Sequence, residues 1–171
     1  MKEIIVLFAA LIAISVWVVA EETTQPTSAP STSSTSATAE QHVVFTPADL
    51  KWSDAPPGLP PGAKIAALEG DPTKPGPFVL RMKAPANYKI APHIHPTGEH
   101  ITVISGTMNF GMGEKFDKDG PKTLSAGGYI SLPAGMPHFA WSASETIVQI
   151  HGTGPFEIKY VNPEADPRNK K

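Results

Sequence analysis

The stretch from Pro92 to Gly106, PHIHPTGEHITVISG, decides how the rest of the chain is read. On a β-strand alternate side chains leave the same face, so His93 and His95 project together. Pro96 biases His95 towards an extended backbone, which fits a strand end there. Pro96-Thr97-Gly98 reads as a tight connection into a second strand on which Glu99, Ile101 and Val103 share one face. If that face is interior, Glu99 stands near both imidazoles, Ile101 and Val103 continue an apolar core, and His100 points outward. Ser105-Gly106 then closes a hairpin. Further on, Gly127, Pro133, Gly135 and His138 form a second punctuated hairpin, with His138 opening a strand.

Working outward from these turns, short apolar runs alternate with Gly and Pro and hold no helical period for long. Strands are expected at Lys64–Leu68, Phe78–Lys83, Tyr88–His93, His100–Ser105, Thr107–Met112, Tyr129–Leu132, His138–Trp141 and Thr146–His151, with a last pairing at Glu157–Val161. Glu114 to Lys122 reads as a polar loop. Many short antiparallel strands with little helix indicate an all-β double-sheet jelly-roll barrel. Residues 64–171 form the barrel in this reading, preceded by a proline-rich arm over residues 42–63.

Three imidazoles and one carboxylate, His93, His95, His138 and Glu99, suit one first-row divalent ion, Fe(II), Mn(II), Ni(II) or Zn(II). The alternative is a set of ordinary polar turn residues. A lone His-x-His would favour that alternative, because short isolated motifs recur by accident. Two separated motifs with matching turn residues favour the metal.

The pairing of motifs resembles the cupins. Their first motif is His-x-His, three or four residues, Glu, six residues, Gly, matched here by His93, His95, Glu99 and Gly106. Their second is Gly, five residues, Pro-x-Gly, two residues, His, three residues, Asn. Gly127, Pro133, Gly135 and His138 match it, whereas Ser142 stands in the Asn position. The resemblance spans most of Lys64 to Val161. It implies a cupin-type double-stranded β-helix with one metal, often as a homodimer, and leaves the reaction open among dioxygenases, decarboxylases, isomerases, lyases, regulators and binding proteins.

Around the ion, Met108, Phe110 and Met112 alternate on one strand and, with Ile101 and Val103, are candidates to line an apolar cavity or simply to fill the core. Gln149 and His151 share a parity and are candidates to support a ligand or substrate; a strand-end hydrogen bond is the plainer role for His151. Phe139 and Trp141 should leave the face opposite His138, needing cover from the arm (Phe45, Leu50, Trp52) or from a second subunit. No positioned nucleophile, second acid–base carboxylate or phosphate loop is visible. Two functions follow. One is a metal-dependent enzyme, dioxygenase-like or lyase-like, acting on a small metal-chelating organic compound. The other is a non-catalytic, metal-dependent small-molecule binding or sensing module.

The flanks bear on location. Lys2, an apolar run from Ile4 to Val19, and Ala20 before Glu21-Glu22 make residues 1–20 a signal peptide by pattern. The run is short of the roughly 20 residues that span a bilayer comfortably, and an uncleaved membrane anchor is the alternative. Residues 21–41, rich in Ser, Thr, Pro and Ala, read as a disordered linker. The expected location is exported, periplasmic or secreted. With no cysteine, a lipid-anchored lipoprotein and disulfides are excluded. A net charge of -2 and no basic patch give no reason to expect nucleic acid as a partner.

Overall fold

The computed structural model describes residues 42–170; the leader expected over residues 1–20 and the linker over 21–41 lie outside the described residues. Eleven strands follow in chain order: β1 (Ser53–Asp54), β2 (Lys64–Glu69), β3 (Gly76–Ala84), β4 (Lys89–Ile94), β5 (Glu99–Ser105), β6 (Thr107–Met112), β7 (Lys122–Ser125), β8 (Tyr129–Leu132), β9 (His138–Trp141), β10 (Thr146–Gly154) and β11 (Lys159–Tyr160). Three single-turn 3-10 segments are the only helical elements among the described residues.

Period-2 burial builds both sheets. On β3, Phe78, Leu80, Met82 and Ala84 are buried and the residues between them are not. Glu99, Ile101 and Val103 do the same on β5, as do Thr146, Val148 and Ile150 on β10. One sheet has the order β1-β2-β3-β10-β5-β8 and the other β11-β4-β9-β6-β7. All pairings are antiparallel. The two inner faces meet in one apolar cluster, and the chain is the expected jelly roll.

The turns differ from expectation in an instructive way. Neither Ser105-Gly106 nor the Gly127–His138 segment closes a hairpin. β5 and β6 lie in different sheets, and so do β8 and β9, as do β4 and β5 across Pro96–Gly98. Turn residues mark a reversal but not which sheet receives the next strand. At the β5–β6 corner Gly106 has φ +76°, where a Cβ would meet the Glu145 carbonyl. The buried Thr146 hydroxyl secures this corner, donating to Thr107 O at 2.8 Å and accepting from Thr107 N–H at 3.2 Å. Ser142, in the Asn position of the second motif, is wholly buried. Its hydroxyl donates to Pro85 O at 3.0 Å and its amide to Tyr88 O at 2.9 Å, tying the end of β9 to the β3–β4 connection.

Two further differences concern the outer face of the second sheet. The polar loop ends in a short edge strand, β7, which the sequence KTLS does not announce by any apolar alternation. Phe139 and Trp141 do leave the face opposite His138, and the cover within the chain comes from a loop instead of the arm. Phe116, in the loop before β7, packs on both rings, at 5.0 Å and 5.4 Å between centroids. Trp52 of the arm instead lies under the Lys83 ammonium, 4.7 Å from the ring centre, and Phe45 stays exposed. The Phe139 ring also lies across Gly111 of the paired strand, where a Cβ would run into it. Replacing Gly111 by Ala should therefore cost about 1–3 kcal/mol through overpacking, read as a lowered urea midpoint with an unchanged slope.

Candidate metal centre

The two motifs meet because the sheet corners bring their strand ends together. His93 is the penultimate residue of β4, His95 follows that strand, Glu99 opens β5 and His138 opens β9. His93 and His138 are register partners across β4 and β9, so their side chains share the interior face. The second turn is also bound to the first, since the Gly135 amide donates to His95 O at 2.8 Å.

The result is a tight cluster. Ring centroids lie 4.2 Å apart for His93 and His138, 5.0 Å for His93 and His95, and 5.4 Å for His95 and His138. One ring nitrogen from each imidazole falls within 4.8 Å of the other two. Glu99 Oε2 stands 3.6 Å from His95 Nε2 and 3.4 Å from His138 Nε2. All four residues are at most 6 % exposed.

Backbone carbonyls set the tautomers. His93 Nδ1 donates to Ala91 O at 2.7 Å, His95 Nδ1 to Glu157 O at 2.6 Å, and His138 Nδ1 to Met136 O at 3.0 Å. A carbonyl can only accept, so each neutral ring carries its proton on Nδ1 and offers the Nε2 lone pair. Protonating His93 or His95 instead is disfavoured. Burial, followed by the neighbouring His138, pushes His93 down to about 2. Burial also lowers His95, against the opposing pull of Glu99 and the Glu157 carbonyl. Glu99 Oε2 is buried and finds no hydrogen-bond donor. The imidazole lone pairs and this carboxylate oxygen thus face one another, and the three imidazoles could hold a divalent cation. The three imidazoles fit a metal ion, and the Glu99 carboxylate stands beside two of them.

The cluster forms the polar end of an apolar cavity of about 220 Å³. Ile101, Met108 and Phe110 line it as expected from strand parity. Four other candidates do not. Val103 is buried in the core but off the cavity wall. Met112, at the end of β6, is 48 % exposed and lies outside the cavity. Gln149 and His151 face outward, because Val148 and Ile150 take the interior positions of β10. Gln149 accepts from Arg81 Nε at 3.2 Å, while His151 stacks on His100, 5.0 Å between centroids. His100 itself is held by the Tyr129 hydroxyl at 2.7 Å from its Nδ1. The parity of Val148 and Ile150 in VQIH carries the signal for this.

Sequence reasoning missed part of the wall. Thr73, Phe156 and Ile158 line it, from the β2–β3 and β10–β11 connections. Their sequences, DPTKP and GPFEI, show no periodicity from which an inward side chain could be read.

Residues 40–157 match the family profile described as the ChrR cupin-like domain. No curated protein matches the chain. Among solved structures it is similar to the polyketide cyclase RemF from Streptomyces resistomycificus, with a TM-score of 0.61 and 18% identity over 75% of this chain and 91% of that one. An acetylacetone dioxygenase from Acinetobacter johnsonii aligns with a TM-score of 0.57 and 19% identity over 75% and 83%. KdgF from Halomonas sp. aligns at 0.51 and 17% over 67% and 96%. At these identities the likeness is one of fold.

The lowered histidines have a consequence for the metal-free protein. A group that protonates more readily when unfolded draws the chain towards unfolding once the pH falls below its unfolded value of about 6.5. His93 alone should then cost about 1.4 kcal/mol per pH unit below that point. Urea unfolding of the chelator-treated protein at pH 7 and pH 5 checks this: stability should fall on acidification, and the loss should shrink in His93→Phe.

Proposed function

The chain belongs to the ChrR cupin-like domain family, and on that premise we propose that it is a metal-dependent enzyme that oxidises a small, apolar, oxygen-chelating compound with dioxygen. The observation that carries the reading is the composition of the cavity wall. Among the described residues, the only polar side chain lining it beyond His93, His95, Glu99 and His138 is that of Thr73. No second acid or base stands among these lining residues for lyase or hydrolytic chemistry, which favours reactivity drawn from the centre itself. A redox-active divalent ion held there supplies dioxygen activation and polarisation of a chelating oxygen.

The chain's own residues do the rest. The three Nδ1–H donors hold the rings in the orientation that presents Nε2 to the ion. Glu99 contributes one negative charge, so a divalent centre retains one positive charge and pairs with a monoanionic chelator such as the enolate of a 1,3-diketone. Leu80, Met82, Phe110 and Ile150 exclude water and receive the apolar body of the substrate. The volume lies below the roughly 300–1,000 Å³ of sites for drug-sized ligands, which restricts the substrate to a small molecule. The fold shared with an acetylacetone dioxygenase agrees with this class. The signal-like N-terminus supports action outside the cytoplasm.

A second reading, a module that binds such a chelator without turnover, draws on the same bare wall. Oxygen consumption by the Fe(II)-loaded protein over a panel of 1,3-diketones, phenols and carboxylates separates them. Turnover of a diketone is expected; tight binding without consumption of oxygen by any compound would overturn the enzyme reading. Elemental analysis tests the centre beneath both. The purified protein should carry about one divalent ion per chain, and His93→Ala or His138→Ala should lose it with the far-UV spectrum unchanged. Unchanged metal content in either variant would refute the ligand assignment.

A further inference from the structure

The three Nδ1–H bonds differ in where their acceptors come from. His93 and His138 each use the carbonyl two residues earlier in their own strand or turn, Ala91 and Met136. His95 uses Glu157, 62 positions away on the strap between β10 and β11. The same strap touches His95 a second time, because the Phe156 ring stacks on the imidazole with centroids 4.2 Å apart and planes 13° apart. Phe156 and Ile158 also line the cavity. One short segment therefore orients one imidazole and forms part of the cavity wall.

What fixes the strap lies near its two ends. The Phe156 amide donates to Pro72 O at 2.7 Å. On the other side, Arg168 Nη2 donates to Ile158 O at 3.1 Å. Asp166 holds that guanidinium through Nε at 2.9 Å and Nη2 at 2.7 Å, a charge-assisted pair. Both residues belong to the C-terminal 3-10 turn after β11 and neither lines the cavity.

We propose that the Asp166–Arg168 clasp and Phe156 are positioning residues that act through the strap on His95 alone, setting how firmly this one ligand holds the ion. The inference rests on the metal reading above but makes a claim about the protein without metal as well. His93 and His138 take their acceptors from their own elements; β11, which follows the strap, also pairs with β4 at Ile94 and His93, so the His93 exchange rate serves as the internal comparison. Loosening the strap frees the His95 Nδ1 proton and lets that ring turn, so the ion is released through the weakest of its nitrogen ligands.

The test uses the full chain with Arg168→Ala, Asp166→Asn and Phe156→Leu, and Asp54→Ala as a control that breaks only the exposed Lys64–Asp54 pair. In the metal-free, nitrogen-15-labelled protein, solvent exchange of the three imidazole Nδ1 protons is followed by NMR. With Co(II) loaded, the rate of extraction by excess EDTA is followed by the loss of the visible bands. Each strap variant should speed exchange at His95, leave His93 and His138 unchanged, and raise the extraction rate about tenfold, the lower end of what losing a partner behind a ligand costs. Asp54→Ala should change neither. Equal acceleration at all three imidazoles would mean general loosening and would overturn the proposal, as would no acceleration at His95. If the wild type takes up no cobalt, the metal reading fails, while the exchange measurement still decides the strap.

Discussion

A cluster of hydrogen-bond acceptors facing one another in an apolar interior is the constraint on which the rest of this structure depends. Three imidazole Nε2 atoms and Glu99 Oε2 share a space with no donor among them. Taking a carboxylate and three imidazoles out of water costs several kcal/mol unless something repays the lost hydration. Protonation would do so in water, but burial pushes His93 far below neutral pH and lowers His95 as well. A divalent cation held by the three imidazoles could supply what they lack. The corners of the barrel around them are held by specific contacts, such as the Thr146 hydroxyl at Gly106 and the Ser142 hydroxyl behind β9.

Much of this was legible in the residues because two simple periodicities carry it. Alternation on β5 put Glu99, Ile101 and Val103 on one face, and the spacing of His93 and His95 put both rings on another. Alternation is a local property, however, and it says nothing about which sheet a strand joins. That is why the corners at Gly106 and before His138 looked like hairpins. It also weakens at strand ends, where a side chain of the right parity can clear the rim. Met112 has the parity of Met108 and Phe110, yet it is half exposed because β6 ends there. For His151 and Gln149 the information was present: Val148 and Ile150 are the better interior residues, and the polar pair has to take the other face.

What the residues did not reveal is supplied by segments without periodicity. Phe116 sits in a polar loop, and nothing in EKFDKDG marks it as the cover for Phe139. Burying that ring against Gly111 required a contact between a loop and a strand whose sequence signals are independent of each other. The strap is a similar case. Phe156 and Glu157 reach the site by way of a connection, and one of the two contributions is a backbone carbonyl, which no side-chain pattern can encode.

Local and remote support for the ligands have different physical consequences. An acceptor two residues away in the same strand or turn moves with the histidine it serves, so His93 and His138 stay oriented as long as their own elements stay folded. The acceptor for His95 belongs to another element, the segment whose Phe156 and Ile158 line the cavity. The Phe156 ring belongs to the cavity wall and is also stacked on His95. In such an arrangement the shape of the wall and the orientation of this one imidazole cannot vary independently, because a single segment is shared between them.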